Sequence, residues 1–190
     1  MISLNDVLMK IRDDLYLTTK LKLMRELPEN NNALYVGKFR VPTKAHIKLI
    51  KDVLKKFNKV VVCVVKSKKE SKEAISFELQ KEIFEYLFGD KVEVITHSSG
   101  NLTSIVNKSP VMIKYVICGK DREKSYLKQL ERLQNVKLIV YPRNDDISAT
   151  NLIKALKECD FNNAKKSMDK DVYNKFIDKI IKELSLDCHK

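Results

Sequence analysis

The sequence contains no tryptophan and only four glycines, four prolines, four cysteines and three histidines among its 190 residues. Both the G-x-G-x-x-G fingerprint of dinucleotide-binding domains and the G-x-x-x-x-G-K-[ST] loop are missing, which leaves a dehydrogenase or a P-loop kinase without its main support. No apolar run approaches the ~20 residues that a membrane-spanning helix needs, so the sequence excludes an integral membrane protein. Tryptophan is absent and no aromatic residues are evidently interleaved with basic ones, which weakens the case for single-stranded nucleic-acid binding.

The few cysteines and histidines argue against a metal site. Cys63, Cys118, Cys159 and Cys188 form no C-x-x-C pair and two of them lie inside apolar runs, so we expect buried thiols rather than disulfides or a zinc site. The histidines are too few for a multi-histidine site, and we expect no metal held by side chains alone. The N-terminal residues lack the apolar core of a secretory signal, which predicts a cytoplasmic protein.

Positive charge predominates, with 37 Lys plus Arg against 25 Asp plus Glu, a net charge of +12 and an isoelectric point near 9.4. This balance favours an anionic partner, which can be a phosphorylated small molecule or a nucleic acid. The basic residues are mostly lysine, however, and an AT-rich genome explains that usage equally well. Charge alone therefore does not choose between these interpretations.

The patterning of apolar residues divides the chain into three segments. Residues 1–32 carry leucines at spacings of three and four, which predicts an N-terminal helical extension that could serve packing or dimerisation. The oligomeric state stays open. Residues 33–160 alternate short β-branched runs with amphipathic segments. Residues 161–190 have apolar residues at helical spacing and predict one terminal helix packed on the domain.

The middle segment predicts an α/β fold. KVVVCVV at 59–65 is typical of a strand buried on both faces, and further strand-like runs occur at 33–37, 91–95, 111–118 and 136–141. The predicted helices between and after them span residues 43–57, 76–88, 101–108, 121–133 and 148–158. This alternation implies a Rossmann-like, five-stranded parallel sheet with helices on both faces. Such sheets bind ligands beyond the carboxyl ends of their strands, where the strand order reverses.

The turn after the first strand, VGKFRVPTKAH at 36–46, has the features of a phosphate site. Gly37 permits a sharp turn and the close approach of a ligand, and a helix beginning at Thr43 presents its partly positive N-terminus. Thr43 and His46 are one turn apart and share a face of that helix. A lone histidine near a helix start is more often an ordinary surface residue. The phosphate-site hypothesis therefore depends on the position of His46 after a strand, a glycine turn and a Pro-Thr helix start. The basic residues of the same turn include Lys38 and Lys44.

GKFRVPTKAH resembles the G-x-F-x-P-x-H/T-x-G-H signature of the HIGH superfamily of nucleotidyltransferases, which includes nicotinamide mononucleotide adenylyltransferases, phosphopantetheine adenylyltransferases and small cytidylyltransferases. DISATNLIKAL at 146–156 is similar to the I-S-S/G-T-x-x-R motif of the same superfamily. The resemblance covers residues 33–160. It implies transfer of a nucleoside monophosphate from a triphosphate, which carries Mg²⁺, to a small phosphorylated acceptor, with release of pyrophosphate.

The resemblance assigns roles to individual residues. His46 takes the place of the signature's second histidine, which contacts the triphosphate, and Lys38 and Lys44 accompany it as the catalytic set. Ser148 and Thr150 correspond to the hydroxyl residues that hold the β- and γ-phosphates. The remaining nucleotide-binding assignments, with VICGKDREK similar to a G-x-D-R segment, are Gly37, Phe39, Thr43, Gly119, Asp121 and Arg122. The polar segment 98–108 resembles the loop that receives the acceptor.

The chain departs from the motifs at two places. Ala45 replaces the glycine of the signature, and Ile153 stands where the second motif has arginine. Lys154 is one position later, which is about 100° further around a helix, and it lacks arginine's planar fork. The resemblance favours adenylyl transfer to an acceptor such as nicotinamide mononucleotide. A cytidylyltransferase of the same fold, or a catalytically impaired protein that binds nucleotide or nucleic acid, are the alternatives.

Overall fold

The structure, a computed structural model of the chain, describes residues 31–66, 73–133, 135–142, 147–186 and 188. The predicted N-terminal helical extension lies outside the described residues except at its end, where Asn32 already belongs to the first strand. In the described ranges, no helix is both long enough and apolar enough to pass through a bilayer.

Five strands and seven α-helices make up the described part of the chain. The strands are β1 (Asn32–Gly37), β2 (Lys59–Val65), β3 (Val92–His97), β4 (Tyr115–Gly119) and β5 (Lys137–Tyr141). The helices are α1 (Lys44–Leu54), α2 (Phe77–Phe88), α3 (Leu102–Asn107), α4 (Glu123–Leu130), α5 (Ala149–Lys157), α6 (Phe161–Ser167) and α7 (Lys170–Glu183). β4 begins later than residue 111, where the sequence places its start. The preceding residues are held at β1 instead, since the Asn32 side chain donates to the carbonyl of Met112 at 3.1 Å.

All neighbouring strands are parallel, and their order in the sheet is β3-β2-β1-β4-β5. The chain builds outward from β1 to β3 and then returns to the other side of β1 to add β4 and β5. The strand order therefore reverses between β1 and β4, and a crevice opens there beyond their carboxyl ends. The predicted five-stranded parallel, Rossmann-like sheet is confirmed.

Helices cover both faces of the sheet, because alternate residues of each buried strand point to opposite sides. In β2, Val60, Val62 and Val64 pack with residues of α1 and α2, whereas Val61 and Cys63 pack with α3 and α4. The side chains of this β-branched run therefore alternate between the two hydrophobic cores, one on each face of the sheet. The burial of β2 on both faces agrees with its interior position in the sheet, between β3 and β1.

The C-terminal residues form two helices, so the prediction of a single terminal helix is wrong. Met168 and Asp169 interrupt the helical path between α6 and α7. Asp169 caps α7 by accepting from the backbone N–H of Asp171 at 3.0 Å and also pairs with Lys51 of α1. Aspartate favours helix starts, which explains the break within an otherwise helical pattern. The two helices and α5 form a further layer whose apolar residues pack against α2.

Two of the four cysteines contradict the expectation of buried thiols. Cys159 and Cys188 form a disulfide, because the chain turns back through α6 and α7 and brings their Cα atoms within 5.7 Å. Cys63 and Cys118 are buried thiols, as expected. Burial raises the pKa of Cys63 to about 12 and that of Cys118 to about 11.

Candidate functional site

A cleft of about 470 Å³ opens at the carboxyl ends of β1, β4 and β5, where the strand order reverses. The predicted site residues that line it are Gly37, Lys38, Phe39, His46, Gly119, Asp121, Arg122, Ser148 and Thr150. Thr43 and Lys44 lie outside its lining. The fold therefore gathers two distant motifs around one cleft, which is the arrangement that the phosphate-site hypothesis requires.

The loop after β1 is shaped by a close contact between Gly37 and Phe39. A Cβ on Gly37 would lie 2.9 Å from the Phe39 ring, so only glycine leaves room for it. Phe39 has a φ of 43°, a conformation that costs a non-glycine residue about 1–3 kcal/mol. Its ring is buried against those of Phe84 and His46, at centroid distances of 5.5 and 5.1 Å. Packing thus offsets the backbone strain.

Gln80, a residue of α2 that the sequence motifs do not indicate, fixes the same loop. Its buried amide donates to the carbonyl of Phe39 at 2.8 Å. An unpaired buried carbonyl would cost about 1–3 kcal/mol, so this bond holds the loop backbone in place. A buried glutamine at an otherwise apolar helix position is the sequence signal that could have identified it.

Thr43 and His46 form a capping box at the start of α1. The backbone N–H of Thr43 donates to His46 Nδ1 at 3.1 Å, and the Thr43 hydroxyl accepts from the backbone N–H of His46 at 3.5 Å. An amide N–H can only donate, so Nδ1 must be the unprotonated nitrogen of a neutral ring. The ring proton is then on Nε2, where it can donate to an anion.

Thr43 therefore acts behind the cleft rather than in it. It is only 1% exposed, and its contacts orient the imidazole of His46. Lys44 is the first residue of α1 and is exposed outside the lining, so the structure does not bring it together with the catalytic set. Lys48, one turn later, does line the cleft and was missed by the motif. Its spacing of four from Lys44 was the available signal.

The second predicted element of the site follows β4. A Cβ on Gly119 would lie 2.6 Å from the Oδ1 atom of Asp121, so glycine permits this carboxylate to fold back over the strand end. Asp121 and Arg122 both line the cleft, and the Arg122 Nε atom lies 3.9 Å from an Asp121 oxygen. The Arg122 side chain is 60% exposed, so it can turn toward a bound ligand.

The second motif lies at the N-terminus of α5. Ser148 caps this helix by accepting from the backbone N–H of Asn151 at 3.1 Å. The Thr150 hydroxyl oxygen accepts from Arg40 Nη2 at 2.8 Å, which joins the first loop to the second motif across 110 residues of sequence. Helix N-termini and free hydroxyl donors favour bound phosphate. The arrangement therefore offers an anion two helix N-termini, those of α1 and α5, at one cleft.

Neither Ile153, which stands at the arginine position of the second motif, nor the adjacent Lys154 lines the cleft. Ile153 is 3% exposed and belongs to the core formed by α2, α5 and the C-terminal helices. Lys154 is exposed, and its ammonium lies 3.9 Å from Glu158 on the same helix. Positive charge at the cleft comes instead from side chains on other elements, namely Lys38, Arg40, Lys48 and Arg122.

Asp52 and Tyr141 are among the groups of the cleft lining whose pKa values are shifted. A hydrogen bond from Lys55 lowers the pKa of Asp52, which keeps this carboxylate ionised. Burial raises the pKa of Tyr141, and the charge of Asp52 adds to that effect. Tyr141 therefore remains a neutral hydroxyl at physiological pH. The predicted acceptor segment 98–108 contributes nothing to the lining of the cleft, and its Ser104 hydroxyl contacts His97 Nε2 at 3.0 Å instead.

Residues 34–161 match the model of the cytidylyltransferase-like family. This match covers more than half of the chain and includes both motifs. The chain belongs to the cytidylyltransferase-like family. It is a nucleotidyltransferase, as the resemblance implied. Its five-stranded parallel sheet is the one that the sequence pattern predicted.

Solved structures that share this fold include mononucleotide adenylyltransferases. The nicotinic acid mononucleotide adenylyltransferase of Plasmodium falciparum, solved with NaAD, is 16% identical with a TM-score of 0.57, and the alignment covers 80% of this chain and 96% of that one. The bifunctional NMN adenylyltransferase/ADP ribose pyrophosphatase of Francisella tularensis is 17% identical with a TM-score of 0.58, covering 82% of this chain and 52% of that one. No curated protein matches the chain. Identities this low show a shared fold and do not show a shared substrate.

Proposed function

We propose that the protein transfers the adenylyl group of ATP to a phosphorylated acceptor such as nicotinamide mononucleotide, releasing pyrophosphate. The observation that carries this proposal is the meeting of His46, Ser148 and Thr150 at one cleft. The solved structures favour adenylyl as the transferred group, because the Francisella tularensis enzyme was also solved with AMP and a manganese ion. The family description supports a second candidate, transfer of a cytidylyl group by the same chemistry.

The reaction is an in-line displacement at the α-phosphorus. An oxygen of the acceptor phosphate forms a new bond to that phosphorus, while the bond to the oxygen bridging toward the β-phosphorus breaks and pyrophosphate departs. The acceptor phosphate is already an anion, so the protein needs no general base. Its work is to align two anions that repel each other and to stabilise the charge that develops.

Each cleft residue has a definable part in this step. The Nε2–H of His46 would donate to the phosphate undergoing transfer, because Nδ1 is engaged by the Thr43 backbone. Ser148 and Thr150 use their oxygens as acceptors from Asn151 and Arg40, which leaves their O–H groups as donors for the departing phosphates. Lys38, Lys48 and Arg122 supply charge around the cleft.

Magnesium enters as part of the substrate in this mechanism. Across the described residues no three His, Cys, Asp or Glu side chains gather into a metal-binding group. Triphosphate oxygens and water satisfy the coordination that Mg²⁺ prefers, with no protein cage. The ion neutralises phosphate charge, and the residues of the cleft hold the complex in position.

A substrate panel tests the proposal. The protein is mixed with Mg²⁺, one of the four nucleoside triphosphates and one acceptor, and pyrophosphate release is measured. The acceptors are nicotinamide mononucleotide, phosphocholine, phosphopantetheine, glycerol phosphate and sugar phosphates. We expect ATP with nicotinamide mononucleotide to react fastest. A preference for CTP with phosphocholine or glycerol phosphate would establish cytidylyl transfer instead.

The panel also separates transfer from simple binding. Omission of the acceptor should abolish pyrophosphate release, which excludes hydrolysis. A protein that releases no pyrophosphate with any pair, but binds oligonucleotides in a salt-sensitive manner that triphosphate competes away, would contradict the proposal. Such behaviour would identify a nucleic-acid-binding protein that has lost turnover.

A further inference from the structure

The cleft has an arginine that neither sequence motif assigns. Arg40 lies in the loop after β1, lines the cleft, and is partly buried, with 26% of its side chain exposed. Its guanidinium reaches the second motif at Thr150. We propose that Arg40 binds the polyphosphate of the substrate, supplying from the first loop the guanidinium that the second motif lacks at Ile153. This inference rests on the proposed nucleotidyl transfer.

The contacts of Arg40 hold its guanidinium in a fixed orientation. Nη2 donates to Thr150 Oγ1 at 2.8 Å and Nη1 donates to Glu73 Oε2 at 3.0 Å. These bonds engage two of the five N–H donors of a guanidinium, and the planar fork is suited to two parallel bonds with a phosphate. Arg40 is thus oriented before any substrate binds, which reduces the entropy lost on binding.

Arg40 also determines what Thr150 can offer. Because the Thr150 oxygen accepts from Arg40, its own O–H must point to another acceptor. Thr150 is in the first turn of α5, where the helix dipole already favours an anion. A phosphate at this helix start would therefore meet the Thr150 hydroxyl and the Arg40 guanidinium together.

Glu73 does not cancel the charge of this cluster. The same carboxylate accepts from Lys157 at 2.6 Å through its other oxygen, so Arg40, Lys157 and Glu73 together carry one net positive charge. The lysine and the arginine both lower the pKa of Glu73, with the Lys157 hydrogen bond the larger cause. Glu73 is best described as a positioning residue that orients Arg40 while leaving the cleft positive.

Binding of inorganic tripolyphosphate to the full-length chain, measured by calorimetry without any acceptor, tests this role. We expect Arg40→Ala to weaken binding by about 10- to 100-fold, as for loss of a hydrogen bond to a charged group. Arg40→Lys should recover part of the affinity, because it restores charge without the fork. Lys154→Ala is the matched control and should bind as the wild type does, since its ammonium lies beside Glu158 outside the cleft.

Kinetics separate binding from a merely structural link between loop and helix. With the active substrate pair, Arg40→Ala should raise the KM for the triphosphate while the KM for the acceptor and the melting temperature change little. If Arg40→Ala melts early, Arg40→Lys is tested instead; it should bind tripolyphosphate more weakly than the wild type does, and an affinity equal to that of the wild type would overturn the assignment. Equal tripolyphosphate affinity of wild type and Arg40→Ala would overturn the assignment of Arg40. It would not contradict the proposed transfer reaction. A wild-type chain that binds no tripolyphosphate would overturn both.

Discussion

Replacement of His46 by alanine tests how the cleft stabilises the transferred phosphate. The substitution removes the Nε2–H donor whose orientation follows from the 3.1 Å bond between the Thr43 backbone and Nδ1. One preorganised donor to developing charge is worth about 3–4 kcal/mol, which corresponds to a loss in kcat of about two to three orders of magnitude. Steady-state pyrophosphate release with the preferred substrate pair measures this loss. Turnover within a few-fold of wild type would refute the role given to the imidazole.

The same substitution has a separate and smaller effect on folding. The Thr43 hydroxyl still accepts from the backbone of residue 46, so α1 keeps one of the two bonds of its capping box. We expect a loss of stability of about 0.5–1 kcal/mol, which lowers the melting temperature by only a few degrees in a chain of this length. A large drop would show that His46 is mainly structural.

Two matched variants distinguish the cap from the chemistry. His46→Glu keeps an acceptor for the Thr43 N–H, as glutamate does in capping boxes, but offers no donor and adds negative charge. It should melt near the wild-type temperature and be less active than His46→Ala. His46→Gln can accept from Thr43 and donate to phosphate through its amide, so it should recover part of the activity. Equal activity of the alanine and glutamate variants would contradict an electrostatic role.

Further predictions concern the loop, the disulfide and a buried thiol. Gly37→Ala places a Cβ 2.9 Å from the packed Phe39 ring and should cost about 1–3 kcal/mol in denaturant unfolding; unchanged stability would contradict the packing argument. Cys188→Ser removes a crosslink to Cys159 across a separation of 29 residues and should cost about 3–4 kcal/mol. Reductant should then lower the unfolding midpoint of the wild type to that of the variant and leave the variant unchanged. The folded protein keeps the Cys63 proton up to about pH 12, whereas the unfolded chain releases it near 9.0, so stability falls as pH rises between these values. Cys63→Ala should make that alkaline decline less steep.

Most of the fold could be predicted from local sequence patterns. The β-branched run of β2 and the alternation of strands with amphipathic helices predicted the parallel sheet, because burial on both faces demands continuous apolar strands. The predicted helix ranges begin at Ser76 and Ser148, and both serines cap their helices in the structure. The break before α7 and the disulfide were missed. Both depend on how the C-terminal helices turn back on the domain, which helical spacing cannot show.

The candidate site could be predicted only in part from the sequence. The resemblance to two family motifs indicated Gly37, His46, Ser148 and Thr150 as site residues, and the family model matches a range that contains both motifs. That Thr43 serves to orient His46 and that Lys44 lies outside the cleft are consequences of how α1 packs on the sheet.

The sequence by itself determined the strand and helix types, the parallel sheet and the two family motifs, since these depend on residues near one another in the chain. Only the tertiary structure decided which cation contacts the second motif. Ile153 turns into the core, and Arg40 reaches Thr150 from a loop 110 residues away. The physical reason is that a side chain's charge acts where packing places it, and that placement is set by contacts between distant segments.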